Sequence, residues 1–191
     1  MSRSSKRETK LVSVYSDLIV KLKEISMREG LPLTEYVNRA LEQAVRAHEL
    51  GSSLREVVDL YERMRIQREA GLILIPMEVF NRMVEELRGE EVEGLWRDCG
   101  SWYGEYLSMR VRDGDPLRVL VGMLEDCGWK VKLTNLEGGG SFKCFSPTIS
   151  LEATKLFARF IEGALKSLGY EILSASCLRG LIELRIKLRK K

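Results

Sequence analysis

The sequence predicts an α+β protein in two parts, and two observations carry this prediction. An alternating, strand-like pattern at the N-terminus gives way to two amphipathic helical stripes, and the rest of the chain mixes helical stripes with further strand-like segments. With 191 residues, 45% hydrophobic and 31% charged, the chain can form the small part and one core of about 120 residues. We expect a polar arm at 1–8, a small domain at 9–48, a linker and connecting helix at 49–71, and a C-terminal α+β domain at 72–191.

The small domain begins with a short strand. In LVSVY, Val12 and Val14 share one face and Leu11 and Ser13 the other, because side chains alternate with period two. A helix follows, with Ser16 or Asp17 as the expected N-cap and apolar residues at helical spacing. It carries Leu18, Leu22 and Ile25 and ends at Gly30.

The second helix has Thr34 as its expected N-cap and a longer apolar stripe. The stripe consists of Val37, Ala40, Leu41, Ala44 and Val45. A strand and two short helices, about forty residues in all, cannot bury a core without a metal, disulfides or a partner. We therefore expect a partner chain: two strands pair as an antiparallel ribbon, and four helices close beneath it.

Residues 7–48 thereby resemble the ribbon-helix-helix (Arc/MetJ/CopG) family. The resemblance implies an obligate homodimer whose ribbon enters the major groove of double-stranded DNA. It implies that Val12 and Val14 lie in the core. It also implies DNA base contacts from Thr9, Leu11 and Ser13, and a phosphate held by the backbone amides of Leu33 and Thr34.

These base-contact residues depart from the family pattern. Family ribbons usually offer two or three long polar or basic side chains, whereas this one offers a threonine, a leucine and a serine. Leu11 can touch a thymine methyl group but cannot form a hydrogen bond, so weak sequence preference is expected. The alternative for the segment is a helical hairpin used only for dimerisation.

The charge distribution favours DNA binding. Residues 1–48 hold nine basic and six acidic side chains, and the remaining chain holds 22 of each. The polar, basic N-terminus is expected to be a disordered arm, with phosphate contacts from Arg3, Lys6, Arg7 and Lys10. The alternative is a solvated terminus without a ligand.

The connecting helix follows a break in ELGSS at residues 49–53. Ser53 and Glu56 have the spacing of a capping box, and the apolar stripe behind them continues toward Gly71. This helix either pairs with its twin in a dimer or packs onto its own C-terminal domain.

The C-terminal domain is predicted to have an α-β-β-α-β-β order and an antiparallel sheet. A short strand at 72–75 and helices from Pro76 and around Val92 precede that order. The order itself consists of a helix from Pro116, strands at 129–136 and 141–146 joined through Gly138–Gly140, a helix capped by Ser150, and strands at 170–176 and 180–188. The last strand alternates, with Leu184, Ile186 and Leu188 on one face and Arg185, Lys187 and Arg189 on the other.

The motifs LWRDCGSWYGEYL, FIEGALKSLGYEI and SCLRGLIELRI make residues 72–188 similar to the 4-vinyl-reductase-type sensor domain, a relative of the TRAPP vesicle-tethering subunits. The resemblance implies a domain that holds a small apolar ligand and signals to an output module. Leu181, Ile182 and Glu183 stand where the family has a second cysteine, so zinc binding is not carried over. The expected pocket is lined by Trp96, Gly100, Tyr103, Gly104 and Phe160, with plain core as the alternative.

Several classes of function are not expected. The sequence has no Gly-rich phosphate loop after a strand, no catalytic triad pattern and no paired metal-ligand spacing, so we expect no enzyme, no cofactor and no metal. Four scattered cysteines are expected to be buried free thiols. Without a long apolar run or a signal peptide, we expect no membrane contact and a cytoplasmic location.

Three functions remain open. The first is a dimeric, sequence-specific DNA-binding transcriptional regulator, with the C-terminal domain sensing a small ligand or mediating oligomerisation. The second is an architectural or partition-type DNA-binding protein with low sequence specificity, which the short base-contact side chains favour. The third is an antitoxin, which the long and well-patterned C-terminal part disfavours.

Overall fold

The computed structural model describes residues 10–87, 89–111, 114–134 and 139–189. The chain divides into two compact units, residues 1–60 and 61–191. Its helices are α1 (Ser16–Arg28), α2 (Leu33–Glu49), α3 (Leu54–Glu69), α4 (Met77–Glu86), α5 (Glu90–Arg110), α6 (Pro116–Asp126) and α7 (Leu151–Ser167). Its strands are β1 (Lys130–Thr134), β2 (Gly140–Phe145), β3 (Tyr170–Leu178) and β4 (Leu181–Leu188). The predicted α+β class is confirmed.

The first unit contains α1, α2 and the first half of α3. Gly30 adopts a φ of 66° and reverses the chain after α1, as the sequence predicts. The expected caps are wrong: α1 begins at Ser16 after Tyr15, and α2 begins at Leu33 after Pro32, in both cases without a side-chain cap. A fixed proline φ suits this boundary, which explains why α2 starts ahead of Thr34.

The strand predicted at the start of the small domain is not confirmed. Residues 10–15 have no regular secondary structure, and Thr9 lies outside the described residues. A strand exists only beside another strand that takes up its hydrogen bonds. Within the described residues, no strand of this chain pairs with the segment.

The second unit begins with helices. The strand predicted at 72–75 does not form, and its residues lead without regular structure into α4. Because α4, α5 and α6 all precede β1, the α-β-β-α-β-β order is not the order of the whole unit. Asp115 caps α6 by accepting from Leu117 N at 2.9 Å, and Ser150 caps α7 by accepting from Ala153 N at 3.2 Å.

The four strands form one antiparallel sheet in the order β1-β2-β4-β3. Strands β1 and β2 form one hairpin, and β3 and β4 form the other. The chain passes from β2 through α7 to β3, and β4 then lies beside β2. Residues 135–138 of the first hairpin turn, including part of the predicted glycine turn, lie outside the described residues. Helices α6 and α7 contact the sheet, and α5 packs on α7.

One continuous core fills the space between these helices and the sheet. Its fully buried side chains come from every layer: Leu107, Leu120, Leu124, Phe142, Ile161, Leu165, Ile182, Leu184 and Ile186. In β4, Leu184 and Ile186 point inward as predicted, whereas Leu188 at the strand end is half exposed. Among the described residues, no helix is both long and apolar enough to cross a bilayer.

Candidate nucleic-acid interface

Every described residue ahead of α1 is exposed. Lys10, Leu11 and Ser13, three of the residues predicted to contact DNA, are all exposed. Val12 and Val14, which the sequence places in a core, are exposed as well within this single chain. The remaining predicted contacts of this region, Arg3, Lys6, Arg7 and Thr9, lie outside the described residues.

The two helices of the first unit pack on each other but enclose almost nothing. Only Ser26 and Ala47 are buried among the described residues up to Leu60. On the apolar stripe of α2, Leu41 is 55% and Val45 is 59% exposed. Leu18 and Ile25 leave a similar apolar surface on α1. Both helical stripes therefore keep exposed apolar side chains of the kind that amphipathic helices normally bury.

The N-terminus of α2 presents free backbone donors. The first helical hydrogen bond of α2 runs from Tyr36 N to Pro32 O at 3.0 Å, so the amides of Leu33 and Thr34 have no acceptor inside the helix. Their position at the positive end of the helix dipole suits a phosphate group.

A groove of about 500 Å³ lies beside this helix start. It is lined by Pro32, Thr34, Glu35, Asn38, Arg39 and Glu42. Arg39 pairs with Glu35 one turn before it on the same helix. The groove therefore combines hydroxyl and amide donors with acidic side chains at its wall.

The local sequence explains why the free amides are displayed. Leu31 N donates to Ser26 O at 2.9 Å and Gly30 N donates to Met27 O at 3.2 Å, so the end of α1 closes on itself. Pro32 then starts α2 with no amide hydrogen of its own. The two helices are thus joined by a short turn that leaves the start of α2 at the surface.

In the second unit, the structure brings together the residues of the predicted ligand pocket. Ring centroids of Tyr103 and Phe160 are 5.8 Å apart, and those of Trp96 and Phe160 are 6.5 Å apart. Gly100 and Gly104 are buried against α7, not displayed on the surface of α5. A Cβ at Gly100 would lie 2.0 Å from the carbonyl oxygen of Phe160. The space that the sequence assigns to a ligand is taken by the backbone of α7.

Two polar groups at this cluster are buried without a hydrogen-bond partner in the described part of the chain. They are the hydroxyl of Tyr103 and the indole nitrogen of Trp129. Trp129 joins the cluster through Phe157, whose ring centroid lies 5.4 Å from that of Trp129 and 5.3 Å from that of Trp96. Burial raises the pKa of Tyr103 far above its usual range, so this phenol stays neutral. The cluster is a mostly apolar core that contains two hydrogen-bond donors without acceptors.

The cysteines are free thiols, but they are not all buried as expected. Cys144 is buried, and burial raises its pKa to about 12. Cys99 of α5 is exposed, although its neighbour Gly100 is buried against α7. Across the described ranges, no three His, Cys, Asp or Glu side chains come close enough to hold a metal ion.

Some contacts have no local signal in the sequence. Arg63 and Gln67 of α3 both donate to the carboxylate of Asp126 at the end of α6, at 3.3 and 3.2 Å. Glu69 accepts from Arg110 at 2.9 Å. These pairs join residues that are far apart along the chain, so only the folded chain identifies them.

Comparison of the chain with protein families, curated proteins and solved structures finds no match.

Proposed function

We propose that this chain is a dimeric, non-enzymatic transcriptional regulator that binds double-stranded DNA through its first unit. The observation that carries the proposal is the open apolar face of α1 and α2, where Leu18, Ile25, Leu41 and Val45 are exposed in a unit with two buried residues among those described. A second copy would cover this face. Full burial of an exposed Leu, Ile or Val side chain contributes about 1.5–3 kcal/mol, so each of these half-exposed side chains would contribute roughly half of that.

The same dimer would give the segment at 10–15 its missing neighbour. Two such segments can pair as an antiparallel ribbon, which has the size to enter the major groove. Leu11 and Ser13 would then face bases while Val12 and Val14 turn to the interior. The amides of Leu33 and Thr34, which have no acceptor in α2, would hold a phosphate on each side.

A charge placed in the apolar face tests dimerisation and DNA binding together. Val45→Asp adds a carboxylate to the exposed stripe of α2, whereas Gln43→Asp adds the same charge at an exposed polar position of the same helix. We expect Val45→Asp to be monomeric by sedimentation velocity and to lose affinity for duplex DNA, because an unpaired charge cannot be buried at low cost. Gln43→Asp should keep both properties. A dimeric, DNA-binding Val45→Asp protein would contradict the proposal.

A low-specificity architectural protein is the second candidate. Among residues 11–15, Tyr15 is the only long polar side chain. Short side chains give few bidentate base contacts, and this favours the second candidate. Footprinting at physiological salt separates the two functions. Protection of one short inverted repeat supports the regulator, and uniform protection supports the architectural protein.

For the second unit we propose ligand sensing at the aromatic cluster, with oligomerisation as its alternative. The unpartnered donors of Tyr103 and Trp129 favour an apolar ligand that carries an acceptor, although such a ligand would have to part α5 from α7. A thermal-shift screen of small ketones and esters tests this, since saturation at one hundred times Kd adds about 2.7 kcal/mol. Stabilisation of wild type but not of Tyr103→Phe supports sensing. No stabilisation by any of these compounds would contradict ligand sensing.

A further inference from the structure

The sheet of the second unit carries a row of polar side chains on the face that points away from α7. Strand pairing places Thr134, Ser141, Arg185 and Ser174 side by side across all four strands. The adjacent row consists of Lys132, Lys143, Glu183 and Ser176, and Lys187 follows Arg185 on the same face of β4. We name the two rows together with Lys187 the basic band.

The positive charge of the second unit is concentrated on this face. Its strands place five basic side chains there, Lys130, Lys132, Lys143, Arg185 and Lys187, together with the acidic Glu171 and Glu183. The sequence of residues 61–191 holds sixteen further basic and seventeen further acidic side chains. The face is therefore positive while the remainder of the unit is close to neutral.

Most of the cations in the basic band are not neutralised by the protein. Lys143 pairs with Glu183 at 2.8 Å, which uses one of the two acidic side chains on this face. Within the described residues, Lys132, Arg185 and Lys187 form no ion pair, and all three are exposed. Glu171 lies opposite Lys187 in the strand pairing without forming an ion pair with it.

The hydroxyl row adds neutral donors next to the guanidinium. Thr134 and Ser141 lie within hydrogen-bond distance of each other, with 2.7 Å between their hydroxyl oxygens. They share with Ser174 and Arg185 an open groove of about 590 Å³. Arginine, lysine and hydroxyl donors are the groups that contact phosphate oxygens in protein–DNA complexes.

We propose that the basic band binds the phosphate backbone of double-stranded DNA, as a second DNA-contact surface on the chain. This inference rests on the proposed function. Four strands span about 14 Å, a length over which duplex DNA presents about eight charges. A second copy is a poor occupant for the band because like charges would face each other. Contacts to phosphate carry no sequence information, so the band adds affinity without sequence preference.

The test removes three charges from the band in the full-length protein. The band variant is Lys132→Gln with Arg185→Gln and Lys187→Gln. The control variant, Arg68→Gln with Lys166→Gln and Arg179→Gln, removes the same charge from exposed positions in α3, in α7 and between β3 and β4. Affinity for one 30-base-pair duplex is measured over a series of salt concentrations.

We expect the slope of log K against log salt to become shallower by about 0.9 for each phosphate that the band variant no longer neutralises, and to stay at the wild-type value in the control.

Equal slopes for the two variants would overturn the inference and leave the proposed function standing. A wild-type protein without affinity for the duplex would contradict the proposed function instead. A changed oligomeric mass with an unchanged slope would identify the band as a protein contact and also overturn the inference. Should the triple variant fail to fold, Lys132→Gln and Lys187→Gln singly give the same test with a smaller change.

Discussion

Single glycines determine how closely α5 and α7 approach each other. A Cβ at Gly163 of α7 would lie 2.1 Å from the carbonyl oxygen of Arg97, and one at Gly100 of α5 would lie similarly close to that of Phe160. Each helix thus offers a glycine where the backbone of the other comes nearest. Gly94, also in α5, has no atom within 4 Å of the same position. The residue type is identical, but the surroundings give it different roles.

This contrast predicts opposite effects for two alanine substitutions in one helix. Gly100→Ala should lower the free energy of unfolding by about 1–3 kcal/mol, because the methyl group meets backbone that cannot rotate away. Gly94→Ala should raise it by about 0.5–1 kcal/mol, since alanine has the higher helix propensity and space is open. Urea denaturation measures both values. Equal effects of the two substitutions would contradict the close helix contact.

At the scale of elements, α3 is held in two different ways. At its start, Ser53 N donates to Glu56 at 2.6 Å and Glu56 N donates to the Ser53 hydroxyl at 3.2 Å, which confirms the predicted capping box. Toward its end, Glu69 accepts from Arg110, and this hydrogen bond lowers the pKa of Glu69. The start is therefore fixed by the local sequence and the end by a residue of α5.

The Glu69 contact predicts a pH-dependent contribution to stability. A carboxylate with a lowered pKa stabilises the folded state above its unfolded value of 4.5, and the contribution disappears as pH falls through the lowered pKa. Glu69→Gln should therefore lower the Tm at pH 7 and lower it less at pH 3. Glu62→Gln, at an exposed position about two turns earlier, is the matched control and should change little at either pH. A constant difference between wild type and Glu69→Gln across this range would contradict the assignment.

At the scale of the whole molecule, the two units differ in what they bury. Residues 61–191 enclose a continuous core drawn from helices and strands, whereas the described residues up to 60 bury one serine and one alanine. A unit of this size without a core is not expected to be stable alone. The second unit has a core of the kind that an independently folding domain needs, and the described residues of the first unit form none.

This difference predicts two thermal transitions that depend differently on protein concentration. If the first unit folds only as a dimer, its midpoint should rise with concentration by mass action, while the transition of residues 61–191 stays fixed. Calorimetry over a hundredfold range of concentration measures both. A first transition that is independent of concentration would contradict obligate dimerisation.

The sequence by itself located most helices and determined several of their ends. Apolar spacing located them, Gly30 and Gly169 ended α1 and α7 with positive φ, and the side chains of Ser53 and Ser150 capped α3 and α7. These features depend on residues within a turn of each other, so a local pattern specifies them. It could equally be seen from the sequence that Arg185 and Lys187 share a face of the last strand.

Only the tertiary structure decided which segments pair or pack with each other. Two strand-like segments, 10–15 and 72–75, have no neighbouring strand among the described residues. Gly100 and Gly104, which the sequence assigned to a ligand pocket, pack against the backbone of α7 instead. The order β1-β2-β4-β3 gathers Lys132, Lys143 and Arg185 on one surface. Strand pairing and helix contact join residues far apart along the chain, and no local pattern selects which partners will meet.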